Sequence, residues 1–241
     1  MKVVGFIPAR YASMRFPAKP LADINGYPMI WRVYHQALKC NFDEIHVLTE
    51  SEIIIKECNK HNIPVLLTRD THPTGTDRVA EAINYVDADL YITMQGDEPL
   101  MEPKHVNMLI DKMKNDSTIV CATTKTKYTN PVDIVNGTTP KVVCDMNDNI
   151  LYFSRSPIPY PKGSLDYSYY KPMGLYGFRK DILKLYGTLD RSPLEKIEDI
   201  ELLRLVEHGI KIKIFEVDSD TIAVDTPKDL ERVRALLKEN T

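Results

Sequence analysis

An apolar run from Val3 to Ile7 stops at Pro8, and the loop that follows carries Arg10, Arg15 and Lys19 with no acidic residue. Three cations gathered where a buried strand ends can neutralise a polyphosphate, Arg through forked donors and Lys as a point charge. Charge alone also allows a solvated basic loop. Gln95-Gly96-Asp97-Glu98 follows a second strand-like run, Ile92-Thr93-Met94, so Asp97 projects toward the crevice that the basic loop lines. Asp225 arises in the same way after Thr221-Ile222-Ala223-Val224. Two aspartates from two strand ends suit Mg²⁺, which takes one or two carboxylates together with water and phosphate oxygens. Asp225 alone would equally serve to cap the helix that Thr226 and Pro227 begin. Glu98 is expected to hold its loop rather than a metal.

Two further groups have the right chemistry. In Thr74-Gly75-Thr76-Asp77-Arg78, Gly75 allows close backbone approach and the helix start offers N–H groups to an anion. Arg78 lies in the first turn, where the helix dipole disfavours a cation that lacks a partner. That partner is either a ligand carboxylate or an internal Asp77 or Glu81. Further on, Leu194, Ile197, Glu201 and Leu205 fall on one helical stripe. A carboxylate set in an apolar face is costly unless paired, so Glu201 either meets Arg204 or accepts hydrogen bonds from substrate hydroxyls.

These residues need a scaffold. Apolar runs at 2–7, 44–49, 64–67, 89–94 and 118–123 alternate with helical patterns at 28–39, 51–60, 76–86 and 103–114. That alternation predicts βαβ units and a mostly parallel central sheet, an α/β fold that binds ligands at the strands' carboxyl ends. The pattern then changes to strands at 141–144, 150–153 and 173–178 around a Pro- and Tyr-rich loop at 155–172. Helices at 193–208 and 227–239 and strands at 211–216 and 221–224 close the chain. With no repeat and no Gly/Ser linker, residues 1–241 are expected to form one domain with an inserted excursion at about 125–190.

Composition narrows the classes. A net charge of −3 in 241 residues gives no reason to expect a nucleic-acid-binding face or a basic membrane-binding surface. No apolar run reaches about 18 residues and no signal-peptide core stands at the N-terminus, so a cytoplasmic location is expected. The four cysteines form no C-x-x-C pair and the six histidines no H-E-x-x-H. G-x-G-x-x-G, the Walker loop and the G-x-S-x-G elbow are absent too, which leaves phosphate handling without a covalent enzyme intermediate.

The blocks PARYASMRFPAKPL at 8–21, HPTGTDRVAE at 72–81, QGDEPL at 95–100, LYFSRSPIPYP at 151–161, GLYGFR at 174–179, SPLEKIEDIELLRLVEHG at 192–209 and VDTPKDLERVR at 224–234 resemble the 3-deoxy-manno-octulosonate cytidylyltransferase (CMP-Kdo synthetase) family. The resemblance implies a Rossmann-like nucleotidyltransferase fold, a homodimer, and Mg²⁺-dependent transfer of CMP from CTP to a 3-deoxy-2-keto sugar acid with release of pyrophosphate. It implies that Arg10, Ser13, Arg15 and Lys19, with Gly75 near the nucleotide, bind CTP, and that Asp97 and Asp225 hold the metal. Lys19, Arg15, Asp97 and Asp225 would be the catalytic set. Arg78, Gln95, Arg155, Tyr176 and Glu201 would face the anionic acceptor. Three departures stand out. Ala18 replaces the family's glycine before the lysine, Leu48-Thr49-Glu50-Ser51 replaces A-T-D-D, and Pro172 replaces the histidine of H-x-G-x-Y. The last leaves a different acid acceptor as the competing expectation. A nucleotide-binding homologue without turnover is disfavoured by retention of both aspartates.

Overall fold

A computed structural model describes residues 1–12, 16–164 and 166–239. Its centre is a seven-stranded sheet in the order β11-β7-β10-β6-β1-β4-β5. The strands are β1 (Val3–Pro8), β4 (Glu44–Thr49), β5 (Val65–Leu67), β6 (Leu90–Met94), β7 (Cys121–Lys127), β10 (Tyr170–Arg179) and β11 (Lys213–Glu216). Two short residue pairs, β2 (Asp23–Ile24) and β3 (Tyr27–Pro28), form a small hairpin, and β8 (Lys141–Cys144) pairs with β9 (Ile150–Ser154) in another. Neighbours in the main sheet run parallel except β10, which is antiparallel to both β6 and β7.

Helices cover both faces, so the inner strands read as continuous apolar runs. Every residue of β1 is buried. Its side chains alternate between two cores, Val3 and Ile7 packing toward α1 (Met29–Ala37), α4 (Pro103–Asn115) and α9 (Pro227–Glu239). Val4 and Phe6 pack on the other face with α3 (Gly75–Ala82), α6 (Lys180–Tyr186) and α8 (Leu203–Glu207). The remaining helices are α2 (Glu52–Lys60), α5 (Pro131–Val135) and α7 (Pro193–Glu198). No helix among the described residues is long and apolar enough to cross a membrane.

Several expectations are corrected. The single helix expected over 193–208 is broken, because Asp199 adopts a left-handed backbone (φ 51°) between α7 and α8. The Arg155 guanidinium caps that break by donating to the Glu198 and Asp199 carbonyls at 2.5 and 3.1 Å. Of the apolar residues in the expected stripe, Leu205 is buried while Leu194 and Ile197 are not. Ile197 is 79% exposed, whereas Glu195 and Arg204 are sealed in as an ion pair at 2.7 Å. The expected strand at 221–224 is also absent. That segment is an irregular strap, held to the sheet by separate polar contacts rather than by a ladder. The loop expected over 155–172 is shorter, since β10 already starts at Tyr170.

Candidate active site

The parallel strands β1, β4 and β6 end on one side of the sheet, and the loops that follow them build the site. After β1, the Ala18 N–H donates to the Tyr11 carbonyl at 3.1 Å, closing the basic loop so that Lys19 starts a short 3₁₀ turn. Ala18 itself has φ 54°, a left-handed conformation that glycine adopts more readily than an L-residue. After β6, Gly96 packs so closely on β1 that a Cβ would stand 2.6 Å from the Pro8 carbonyl oxygen. Only glycine allows this approach, and it directs Asp97 toward the basic loop. The strap joins from the far end of the chain, its Val224 N–H donating to the Asp97 carbonyl at 2.8 Å.

These contacts converge on one cation. The Lys19 ammonium donates to Asp97 at 2.6 Å and to Asp225 at 3.2 Å. Burial disfavours its charge, but the two carboxylates outweigh that and raise its pKa above the ordinary lysine value. Two carboxylates sharing one small cation are a donor set that fits Mg²⁺ completed by phosphate oxygens and water. Among the described residues no cluster of three or more His, Cys, Asp or Glu forms a cage for a metal, so an ion here would need oxygens from the nucleotide.

Beside this point lies a polar wall. Thr74 caps α3 by accepting from the Asp77 N–H, which leaves the Thr76 N–H at the helix start to donate to Glu201 at 2.9 Å. The Gln95 amide donates to the other oxygen of Glu201 at 3.2 Å. Burial pushes the Glu201 carboxyl above its ordinary pKa, with the Thr76 N–H and neighbouring hydroxyls opposing. Tyr176, opposite Thr93 of β6, is likewise raised well above normal by burial and by Glu201, Glu98 and Asp97, while a hydrogen bond from Gln95 opposes. Gly75 sits at the start of α3 against Pro8 and Gln95.

Not every expected residue joins them. Arg78 is buried and pairs with Glu50 at 2.7 Å and with the Thr68 hydroxyl. Burial lowers its pKa, against the pull of Glu50 and Glu81. Its partner is thus internal, though not the Asp77 or Glu81 expected. Arg155 spends its guanidinium on the carbonyls at the end of α7 and on those of Gly137 and Thr138 at 3.2 and 2.8 Å. Arg10 is exposed beside Arg78. Ser13 and Arg15 lie outside the described residues. Glu50, which also accepts from the Tyr11 N–H at 2.9 Å, was not anticipated as the link between Arg78 and the basic loop. Its one signal was an acidic residue directly after β4, where the A-T-D-D pattern departs.

The fold recurs in an inositol-1-phosphate CTP transferase from T. maritima, at a TM-score of 0.71 and 16% identity over 99% of this chain and 97% of that one. Residues 4–212 match the family described as Cytidylyltransferase. Fold and match together define the class, a nucleotidyltransferase. A solved CMP:2-keto-3-deoxy-manno-octonic acid synthetase complexed with CTP superposes at a TM-score of 0.95, with 41% identity over the whole of both chains. The 3-deoxy-manno-octulosonate cytidylyltransferase of Fusobacterium nucleatum subsp. nucleatum is 43% identical over all of this chain and 98% of its own length. That of Escherichia coli is 41% identical over 99% and 97%. The chain belongs to the 3-deoxy-manno-octulosonate cytidylyltransferase family.

Proposed function

We propose that the protein transfers CMP from CTP to the anomeric hydroxyl of Kdo or a closely related 3-deoxy-2-keto sugar acid, releasing pyrophosphate in a Mg²⁺-dependent reaction. The observation that carries this reading is the convergence of Lys19, Asp97 and Asp225 beside the Gln95–Glu201 wall. Asp97 and Asp225 would hold the ion, whose charge would stabilise the phosphate oxygens as the leaving group departs. Lys19 would then turn from the carboxylates to the triphosphate, with Arg10, Ser13 and Arg15 supplying the remaining cations and donors of the loop and Gly75 the close approach of the α3 start. Gln95, Glu201 and Tyr176 would orient the acceptor's hydroxyls. Arg78 and Arg155 would shape this pocket from behind, through Glu50 and through the α7 end.

The second reading, a different acid acceptor, has one specific support. Pro172 stands where the family resemblance leads one to expect histidine, and the pairing of β10 with β7 shifts register between Pro172 and Tyr176. Proline supplies no side-chain donor or acceptor there. The test is pyrophosphate release from CTP and Mg²⁺ across Kdo, other ulosonic acids, sialic-type acids and phosphonates. Release with Kdo as the best acceptor supports the first reading. Preference for another acid, reversed by Pro172→His, supports the second, and no release with any acid rejects both.

We also propose a homodimer, formed with a second copy through the 125–190 excursion and the adjoining α7. Exposed apolar side chains concentrate there, among them Val132, Val135, Leu151 and Ile197. A monomer by sedimentation equilibrium at micromolar concentration would reject it.

A further inference from the structure

The buried carboxyl group of Glu98 stands next to the metal-site aspartate yet touches neither Lys19 nor any other cation among the described residues. It is 7% exposed, and its hydrogen bonds come from a backbone N–H and a hydroxyl. A group held at such cost needs a reason.

Its two oxygens reach two different segments. One accepts from the Gly174 N–H at 2.9 Å. That amide lies in the stretch of β10 where the pairing with β7 shifts register, between Pro172 and Tyr176, and faces the loop after β6, where Glu98 gives it a partner. The Gln95 N–H donates back to the Gly174 carbonyl at 3.1 Å, which closes the link between bulge and loop. A Cβ on residue 174 would collide with this carboxyl group and with Gln95, so the glycine and the glutamate fit as a pair. The other oxygen accepts from the Thr221 hydroxyl at 2.7 Å. Thr221 begins the strap that has no ladder of its own and that ends at Asp225.

We propose that Glu98 is a positioning residue that registers the two halves of the site, fixing with one oxygen the β10 bulge that carries Tyr176 and with the other the strap that delivers Asp225. This rests on the assignment of Asp97 and Asp225 to the metal and of Tyr176 to the acceptor. Misplacement of a reacting group by about 1 Å can cost on the order of 100-fold in rate, so two contacts that set such placements act on turnover from outside the reacting atoms.

The arms can be cut separately. Thr221→Val keeps shape and removes only the strap arm. It should lower kcat about tenfold and raise the Mg²⁺ needed for half-maximal rate, leaving the acceptor KM in place. Mn²⁺ binding to the enzyme–CTP complex, followed by electron paramagnetic resonance, should weaken in parallel. Glu98→Ala cuts both arms and should raise the acceptor KM as well. Glu98→Gln can accept from Gly174 and donate to Thr221, and should restore both quantities toward wild type.

A purely structural role would lower the melting temperature of Thr221→Val and Glu98→Ala while leaving metal dependence and KM unmoved, and that result overturns the proposal. If Glu98→Ala does not fold, Thr221→Val decides alone. Asp225→Asn separates the two levels. Full activity in that variant removes the metal assignment and this inference with it. An inactive Asp225→Asn beside a kinetically normal Thr221→Val removes only the inference.

Discussion

Two groups of buried charges flank helix α3, and they are wired differently. Behind the helix, buried ionisable groups are paired with one another. Arg78 pairs with Glu50, His72 with Glu81, and Arg204 with both Asp77 and Glu195. In front of it, Asp97 and Asp225 share Lys19, while Glu98 and Glu201 accept from hydroxyl, amide and backbone N–H donors. Glu98 and Glu201 there have raised pKa values, whereas Glu81 behind the helix is depressed to about 2. A closed set of pairs is framework. Carboxylates that share a lysine and sit among neutral donors are the kind of group whose pKa and partners mark a candidate site.

The comparison is broken most sharply in front. Asp97→Asn and Asp225→Asn should each lower turnover at saturating Mg²⁺ by at least about 100-fold, the scale seen when a preorganised electrostatic group is removed. Near-wild-type kcat in either variant would move that residue from site to framework. Glu195→Ala probes the opposite region. It strips the sealed Arg204 of its bidentate partner and should cost about 3 kcal/mol of stability by denaturant unfolding, since a buried charge is left half-paired. A loss seen in kcat rather than in unfolding free energy would erase the distinction.

Acid provides a third check. Burial alone would raise the Glu81 carboxyl, but His72, the Arg69 N–H and the Tyr85 hydroxyl overcome it and hold the group at about 2. A depressed carboxyl stabilises the fold above its ordinary pKa and loses that contribution as pH falls toward the depressed one. The melting-temperature gap between wild type and Glu81→Gln should therefore narrow as pH falls from about 5 to about 3. A gap that stays constant or widens contradicts the pairing. The smallest effect concerns Ala18, whose left-handed backbone costs an L-residue roughly 1 kcal/mol. Ala18→Gly should raise the melting temperature by roughly 3 °C, and an unchanged or lower value would show that the loop is not strained there.

What the sequence revealed follows from where information is local. Val3–Pro8 and Leu90–Met94 are buried on both faces, so their apolar runs announce strands. The ends of those strands, with Lys19 and Asp97 just beyond, were legible for the same reason. Thr221–Val224 has the same composition, but its partners are a carboxyl oxygen and a carbonyl from the Asp97 loop. A run of apolar residues does not say whether a ladder is waiting. Arg78 and Arg155 illustrate a second limit. Their motifs mark them as placed for contact, while the contacts themselves come from Glu50, 28 positions away, and from the end of α7, 43 positions away. The helix break at Asp199 was hidden in the same manner, since the guanidinium that caps it belongs to Arg155, 44 positions away.

The antiparallel strand also sets an order of events during synthesis. β6 is finished at Met94 and β7 at Lys127, yet the strand that belongs between them begins only at Tyr170. Until then the emerging chain carries two unfilled edges, each a template for wrong pairing. When β10 enters, it joins the halves of the sheet and brings Gly174 to Glu98, and the last segment then ties Asp225 to the Asp97 loop. The cluster of Lys19, Asp97 and Asp225 is thus completed late, just before α9, and a chain cut short before residue 225 would have the basic loop without its second aspartate.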